Sequence, residues 1–176
     1  MIKKDDILGY ELPDGRTENV NAGETLHRGV ELGLGVLLTQ GLEMSLAWSV
    51  AEHTYEHWAP NESVEYSGNE MESAPNTVGQ LGLTWAPPAL PGLRMAVEWN
   101  RLGPYWMDAQ NENEYEGHDL LAARARYDLS SGLGLFLRAT NLTDERYAER
   151  ASYNAFRGQE FAPGLPRTFY VGVEIR

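Results

Sequence analysis

The sequence has no cysteine, which excludes disulfides and thiolate metal sites but leaves the compartment open. No apolar run approaches the roughly 18 residues a membrane-spanning helix needs, so a helical membrane protein is excluded. A membrane β-barrel is untouched by that absence, because alternating strands dilute hydropathy. Basic residues are few: 14 Lys and Arg against 26 Asp and Glu leave a formal net charge of -12. That balance argues against nucleic acid as a partner, since phosphate binding draws on basic surface. Helical spacing of apolar residues is missing over any long segment. No strand-plus-helix period recurs either, which excludes a parallel α/β layout. There is no Gly-x-Ser-x-Gly and no nucleophile beside a base, so catalysis has no support, and neither an enzyme nor a cofactor is expected. The 176 residues suit one domain. Met1 is followed by Ile-Lys-Lys-Asp-Asp, without the apolar stretch of a secretory signal.

What is present is alternation. Val30, Leu32, Leu34, Val36 and Leu38 share one face of a long strand, and Thr39-Gln40-Gly41 turns the chain. Leu42, Met44, Leu46, Trp48 and Val50 then alternate with Glu43, Ser45, Ala47 and Ser49. The same period returns at Leu81–Trp85, Leu93–Trp99, Leu121–Leu129, Leu133–Ala139 and Phe169–Ile175. With a short strand near Ile2 to Leu8, this predicts about eight antiparallel strands in an up-and-down meander. A turn-rich loop with Pro13-Asp14-Gly15 follows that first strand. Pro87 to Gly92 breaks the ladder between two strands, and Ser130-Ser131-Gly132 is another tight turn. Polar loops are expected over Glu52–Ala74, Gly103–Gly117 and Ala148–Ala162, all at one end of the sheet.

Alternation does not say which face is dry. A soluble barrel would turn its apolar face inward, whereas a membrane barrel turns it to lipid and lines its lumen with the polar face. Short turns at one end with long loops at the other favour the membrane. So do Trp48, Trp85, Trp99 and Tyr127 on apolar faces, mostly near strand ends, where interfacial girdles sit. The polar face carries Glu31, Glu43, Arg94, Glu98, Arg124, Arg126, Asp128, Arg138, Glu174 and Arg176. The remaining alternative is a small eight-stranded barrel that binds an apolar ligand in its lumen; it would need those charges on the outside.

The last third of the chain carries the most specific pattern. Asn141-Leu142-Thr143-Asp144-Glu145-Arg146-Tyr147 is followed by a loop, by Pro163-Gly164-Leu165-Pro166-Arg167, and by a final alternating strand. Upstream stand Asn21 with Gly29-Val30-Glu31, and Pro75 at the head of a descending strand. In this order and spacing the chain resembles the C-terminal end of TonB-dependent outer-membrane receptors. The resemblance implies a barrel of about twenty-two strands closed over an N-terminal plug. It implies import of ferric siderophores, cobalamin or related scarce nutrients across the bacterial outer membrane. Residues 1–176 would then be the C-terminal portion of the barrel, with plug and N-terminal strands absent and TonB reached only through the missing plug. Family members commonly end in an aromatic residue, whereas this chain ends at Arg176. The final strand must either stay an edge or pair with the strand near Ile2.

Candidate ligand contacts are the loop aromatics Tyr55, Trp58, Tyr66, Tyr105, Trp106, Tyr115, Tyr153 and Phe156, with Arg157. A ferric siderophore offers flat rings and anionic groups, which suit aromatic and arginine partners. The plain alternative is loop packing. His53 and His57 lie four apart, but the stretch leaves a strand and lacks the metalloprotease pattern, so it reads as solvated loop. Asp108, Glu112, Glu114 and Glu116 lack the glycine and spacing of a calcium loop. No metal site is assigned from sequence. Asn141-Leu142-Thr143 reads as a turn stabiliser rather than a glycosylation site.

Overall fold

The computed structural model of the protein describes residues 2–11, 16–130 and 132–175. The expected turn at Pro13-Asp14-Gly15, Ser131 of the later turn, and Arg176 lie outside these. The strands in chain order are β1 (Ile2–Glu11), β2 (Thr17–Thr39), β3 (Leu42–His57), β4 (Thr77–Trp85), β5 (Leu93–Leu102) and β6 (Tyr105–Trp106). After them come β7 (Glu114–Tyr115), β8 (His118–Ser130), β9 (Leu133–Thr140), β10 (Ala148–Asn154), β11 (Gly158–Pro163) and β12 (Thr168–Ile175). Eight form one sheet in the order β1-β2-β3-β4-β5-β8-β9-β12, antiparallel throughout. β6 pairs with β7 and β10 with β11 as two small hairpins between sheet strands. No helix occurs among the described residues.

Register follows from the apolar alternation. Leu46 opposes Leu34 and Leu81, Leu83 opposes Met44 and Val97, and Val97 opposes Ala123. Ala125 opposes Leu137, which opposes Val171. Leu46, Leu83, Val97, Ala125, Leu137 and Val173 therefore share one face, and Glu43, Glu98, Arg124, Arg138 and Glu174 share the other. A one-residue slip would exchange the two sets. The apolar face is bare: Val30 is 74% exposed, Val171 81% and Ile175 83%. Trp48 and Trp99 stack on it with ring centroids 5.7 Å apart. Trp48 lies across Gly79, where any Cβ would collide with the indole. Just beyond Val30 and Val50 on that face, Arg28 and Glu52 pair at 2.8 Å. Just beyond Trp99 and Leu121, Arg101 and Asp119 pair at 2.8 Å. Ion pairs thus mark where the apolar band stops, at the long-loop end.

On the polar face, part of the charge is paired across strands. Arg124 pairs with Glu98 at 3.0 Å, and Arg126 pairs with Asp128 at 2.8 Å and also with Glu174. At the short-turn end, successive hairpins are laced together. Gly41, at φ +79°, accepts the Ala86 N–H at 2.7 Å, and Gly92, at φ +90°, accepts that of Asp128 at 3.0 Å. Both turns use a backbone region that costs glycine nothing.

Three outcomes differ from the sequence expectation. β3 runs to His57, well into the expected loop Glu52–Ala74. The reason is that the β2–β3 ladder continues through polar partners, Arg28 with Glu52 and His27 with His53, after the apolar alternation has stopped. The expected loop Ala148–Ala162 is the β10–β11 hairpin, and Gly103–Gly117 contains the short β6–β7 pair. The last strand takes the first of its two expected alternatives: β12 does not pair with β1 among the described residues and stays an edge.

An arginine placed in the apolar face at Val97 should cost about 2–4 kcal/mol if that face meets lipid. In the complete barrel that contains this segment, we expect Val97→Arg to lower the yield of heat-modifiable, protease-resistant protein in liposomes. Gln80→Arg, on the polar face, should leave that yield near wild type. Equal behaviour of the two variants would reverse the facing.

Candidate functional site

Most buried apolar side chains lie at the long-loop end, in two clusters. In the first connection, residues 58–76, the chain folds back on β3. Gly68 donates to the Tyr55 carbonyl at 2.6 Å, Tyr55 to Asn69 at 3.0 Å and Met71 to His53 at 2.8 Å. Tyr55, Trp58 and Tyr66 form a chain of rings with centroids 4.5 and 5.0 Å apart, 1%, 2% and 7% exposed respectively. Burial, with Glu72 nearby, pushes the Tyr55 phenol well above its ordinary range. This loop is tied to the second connection, residues 103–117. Asn69 Nδ2 donates to the Ala109 carbonyl at 2.8 Å, and Gln110 Nε2 to the Tyr66 hydroxyl at 2.8 Å. Asn111 bonds both the N–H and the carbonyl of Glu70, at 2.8 and 2.9 Å.

The second cluster is built by two tyrosines that hold β10. The Tyr105 hydroxyl accepts the Ala151 N–H at 2.9 Å and donates to the Ala151 carbonyl at 3.1 Å. The Tyr115 hydroxyl accepts the Ala148 N–H at 3.0 Å and lies 3.4 Å from the Ala148 carbonyl. Both alanines are buried, Ala151 completely. The phenols therefore stand where a neighbouring strand's backbone would otherwise pair. Burial raises the pKa of Tyr115, partly opposed by the Ala148 N–H.

Asn141 closes the third connection. Its Oδ1 accepts the Glu145 N–H at 2.8 Å, and its Nδ2 donates to the carbonyls of Glu145 and Leu165 at 2.9 and 3.0 Å. Asp144 accepts the Arg167 N–H at 3.1 Å. Tyr147 lies flat over Gly164, which has no side chain to obstruct it. The Asn-Leu-x-Asp-x-x-Tyr and Pro-Gly-x-Pro-Arg segments thus form one clasp across the base of the β10–β11 hairpin. Beside it, Tyr115, Tyr147, Phe161, Asp144, Glu145 and Arg146 line a cavity of about 610 Å³.

The candidate contacts separate by exposure. Tyr55, Trp58, Tyr66 and Tyr105 are buried, Trp106 and Tyr115 half-buried. Tyr153, Phe156 and the Arg157 side chain stand out at the β10–β11 tip, 38%, 60% and 74% exposed. Asp108 uses its carboxylate to cap its own turn, accepting from the Glu112 N–H at 2.9 Å and Asn113 Nδ2 at 2.5 Å. Among the described residues no group of three or more His, Cys, Asp or Glu side chains converges on a metal position. Sequence reading gives Tyr147 no role beyond its motif, and none to Phe161 or to His27, whose Nδ1 lies 2.7 Å from Nδ1 of His53. The last was recoverable: with Val30 opposite Val50, three residues further out on each strand brings His27 against His53.

An antiparallel sheet with one bare apolar face, one charged face and all its long connections at one end is a segment of transmembrane β-barrel wall. The chain belongs to the TonB-dependent receptor β-barrel family: the family described as TonB dependent receptor-like, beta-barrel matches residues 2–142. That family is found in the bacterial outer membrane. Solved structures share the fold. The siderophore receptor PiuA from Acinetobacter baumannii aligns at TM-score 0.76 and 20% identity, over 98% of this chain and 25% of its own. The ferric yersiniabactin uptake receptor FyuA from Yersinia pestis aligns at 0.75 and 18%, over 90% and 24%. The copper transporter OprC aligns at 0.73 and 18%, over 97% and 26%. The chain thus spans about a quarter of the length of these proteins. No curated protein matches it in sequence.

Replacing Tyr105 by phenylalanine leaves the buried Ala151 N–H and carbonyl without their phenol partner, at about 1–3 kcal/mol. The expected result is faster amide exchange confined to β10–β11, with β2–β5 unchanged. Uniform exchange across the whole sheet would contradict the local role.

Proposed function

We propose that residues 1–176 are the C-terminal portion of the barrel of a TonB-dependent outer-membrane receptor. The plug and the N-terminal strands of that receptor lie outside this segment. The observation that carries the reading is the open eight-stranded sheet, which aligns along nearly its whole length with about a quarter of complete receptors. Its apolar face contacts outer-membrane lipid, its charged face lines the lumen, and its clasped loops form part of the extracellular vestibule. The receptor takes up a ferric siderophore or a related metal-carrying small molecule, and TonB acts on it through the plug. The segment is wall and vestibule, not an enzyme, and it uses no cofactor.

Within the vestibule, Tyr153, Phe156 and Arg157 are the ligand contacts, because they are the candidate side chains left exposed. Flat rings stack on Tyr and Phe, and anionic groups pair with the guanidinium. The four buried aromatics hold the loops that present the tip. The small-barrel alternative has less support: its lumen would need apolar lining, and the polar face instead carries the Arg124–Glu98 and Arg126–Asp128 pairs.

The test is growth on a ferric siderophore in a strain lacking its own receptor, given the complete receptor that contains this segment. Growth should require TonB. Arg157→Ala should weaken binding of an anionic ferric siderophore by about ten-fold, the worth of one charge-assisted hydrogen bond. Growth that ignored TonB would sink the receptor reading. Unchanged affinity in both Arg157→Ala and Phe156→Ala would remove the hairpin tip from the site.

A further inference from the structure

We propose that His27 and His53 form a two-imidazole coordination site for divalent copper or zinc, on the polar face just beyond the apolar band. The two residues are direct cross-strand partners on β2 and β3, and both rings are half-buried. Their Nδ1 atoms approach to 2.7 Å, with ring centroids 5.0 Å apart, so two nitrogen lone-pair positions converge on one point. A shared proton occupies that point while both rings are neutral. Imidazole–metal bonds of about 2.0–2.1 Å at square-planar to tetrahedral angles put the nitrogens about 2.9–3.4 Å apart with the ion off the line between them, so a small turn of both rings aims them at it.

The surroundings hold the rings for this task. Nε2 of His27 lies 3.1 Å from the hydroxyl of Thr25, a residue with no exposed surface. A hydroxyl that accepts from Nε2–H fixes the tautomer in which Nδ1 carries no proton, as outer partners do for metal-bound histidines. On coordination the shared proton leaves the Nδ1 axis and settles on Nε2 of His53, a tautomer change without net proton release. The backbone of His53 is also held, since its carbonyl accepts the Met71 N–H at 2.8 Å.

Two ligands do not make a resident structural site, and no third His, Cys, Asp or Glu converges there among the described residues. Water or donor atoms travelling with the ion complete the shell, so binding is exchangeable. Imidazole favours copper and zinc, and divalent copper binds tightest in the first-row series. The site is separate from the hairpin tip and does not depend on the transport reading.

The test uses the complete receptor that contains this segment, in detergent micelles, titrated with copper(II) chloride at pH 7.5 and followed by electron paramagnetic resonance, with each variant read as a difference from the unmutated protein. One equivalent should give the hyperfine pattern of two nitrogen ligands. His53→Ala and His27→Gln should each reduce it to one nitrogen and weaken binding at least ten-fold, while His57→Ala changes nothing. A pattern that survives both substitutions, or one lost with His57→Ala, overturns the proposal. Diethyl pyrocarbonate mapping on the unmutated chain guards against misfolded variants. Stoichiometric copper should shield His27 and His53 and leave His57 reactive. Equal shielding of all three, or shielding of none, overturns it as well.

Discussion

Backbone hydrogen bonding in a place without water governs this structure. An unpaired N–H or C=O in hydrocarbon costs several kcal/mol, so each lipid-facing strand must be paired along its length. Antiparallel pairing by short turns meets that demand, and the period-2 side-chain pattern then fixes register, because a slip would turn charge to lipid. The bare apolar face follows, as do the charge pairs that confine Arg124 and Arg126 to the other side. The same demand makes the edge at β12 the least settled part of the sheet. Its outer row of backbone groups needs a further strand, and β1 does not provide one among the described residues.

Above the apolar band the rule relaxes and side chains take over. The ladder between β2 and β3 continues, but its partners become Arg28 with Glu52 and His27 with His53. Among the described residues the hairpin of β10 and β11 pairs with no strand of the large sheet, and the hydroxyls of Tyr105 and Tyr115 serve its backbone instead. This is an economical way to fix a projecting hairpin. Two rigid rings reach across from a neighbouring loop and pair at Ala148 and Ala151, where small side chains let them approach.

The sheet was legible because its determinants are local and repeated. Leu46, Leu83 and Val97 could be assigned to one face by counting in twos, and the turns at Gly41 and Gly92 by composition. β10 and β11 were not legible. AERASYN and GQEFAP have no apolar alternation, since their order comes from phenols distant in sequence and from the Asn141 clasp. The division of the loop aromatics was hidden for the same reason. Tyr66 and Tyr153 look alike in sequence, yet one packs on Trp58 and the other stands in the open. His53 and His57 stand four apart along the chain, but the ring that meets His53 is His27, across the ladder.

The clasp at Asn141 has an evolutionary consequence. One side chain joins both ends of the third connection, bonding Glu145 at the outset and Leu165 at the return. Whatever lies between is insulated from the wall, as a cassette is from the machine that holds it. Insertions, deletions and drift at the hairpin tip, residues 153–160, leave the geometry at β9 and β12 unaltered, whereas Ala148 and Ala151 stay fixed by the two phenols. Selection can rewrite the projecting hairpin while the eight-stranded sheet stays constant.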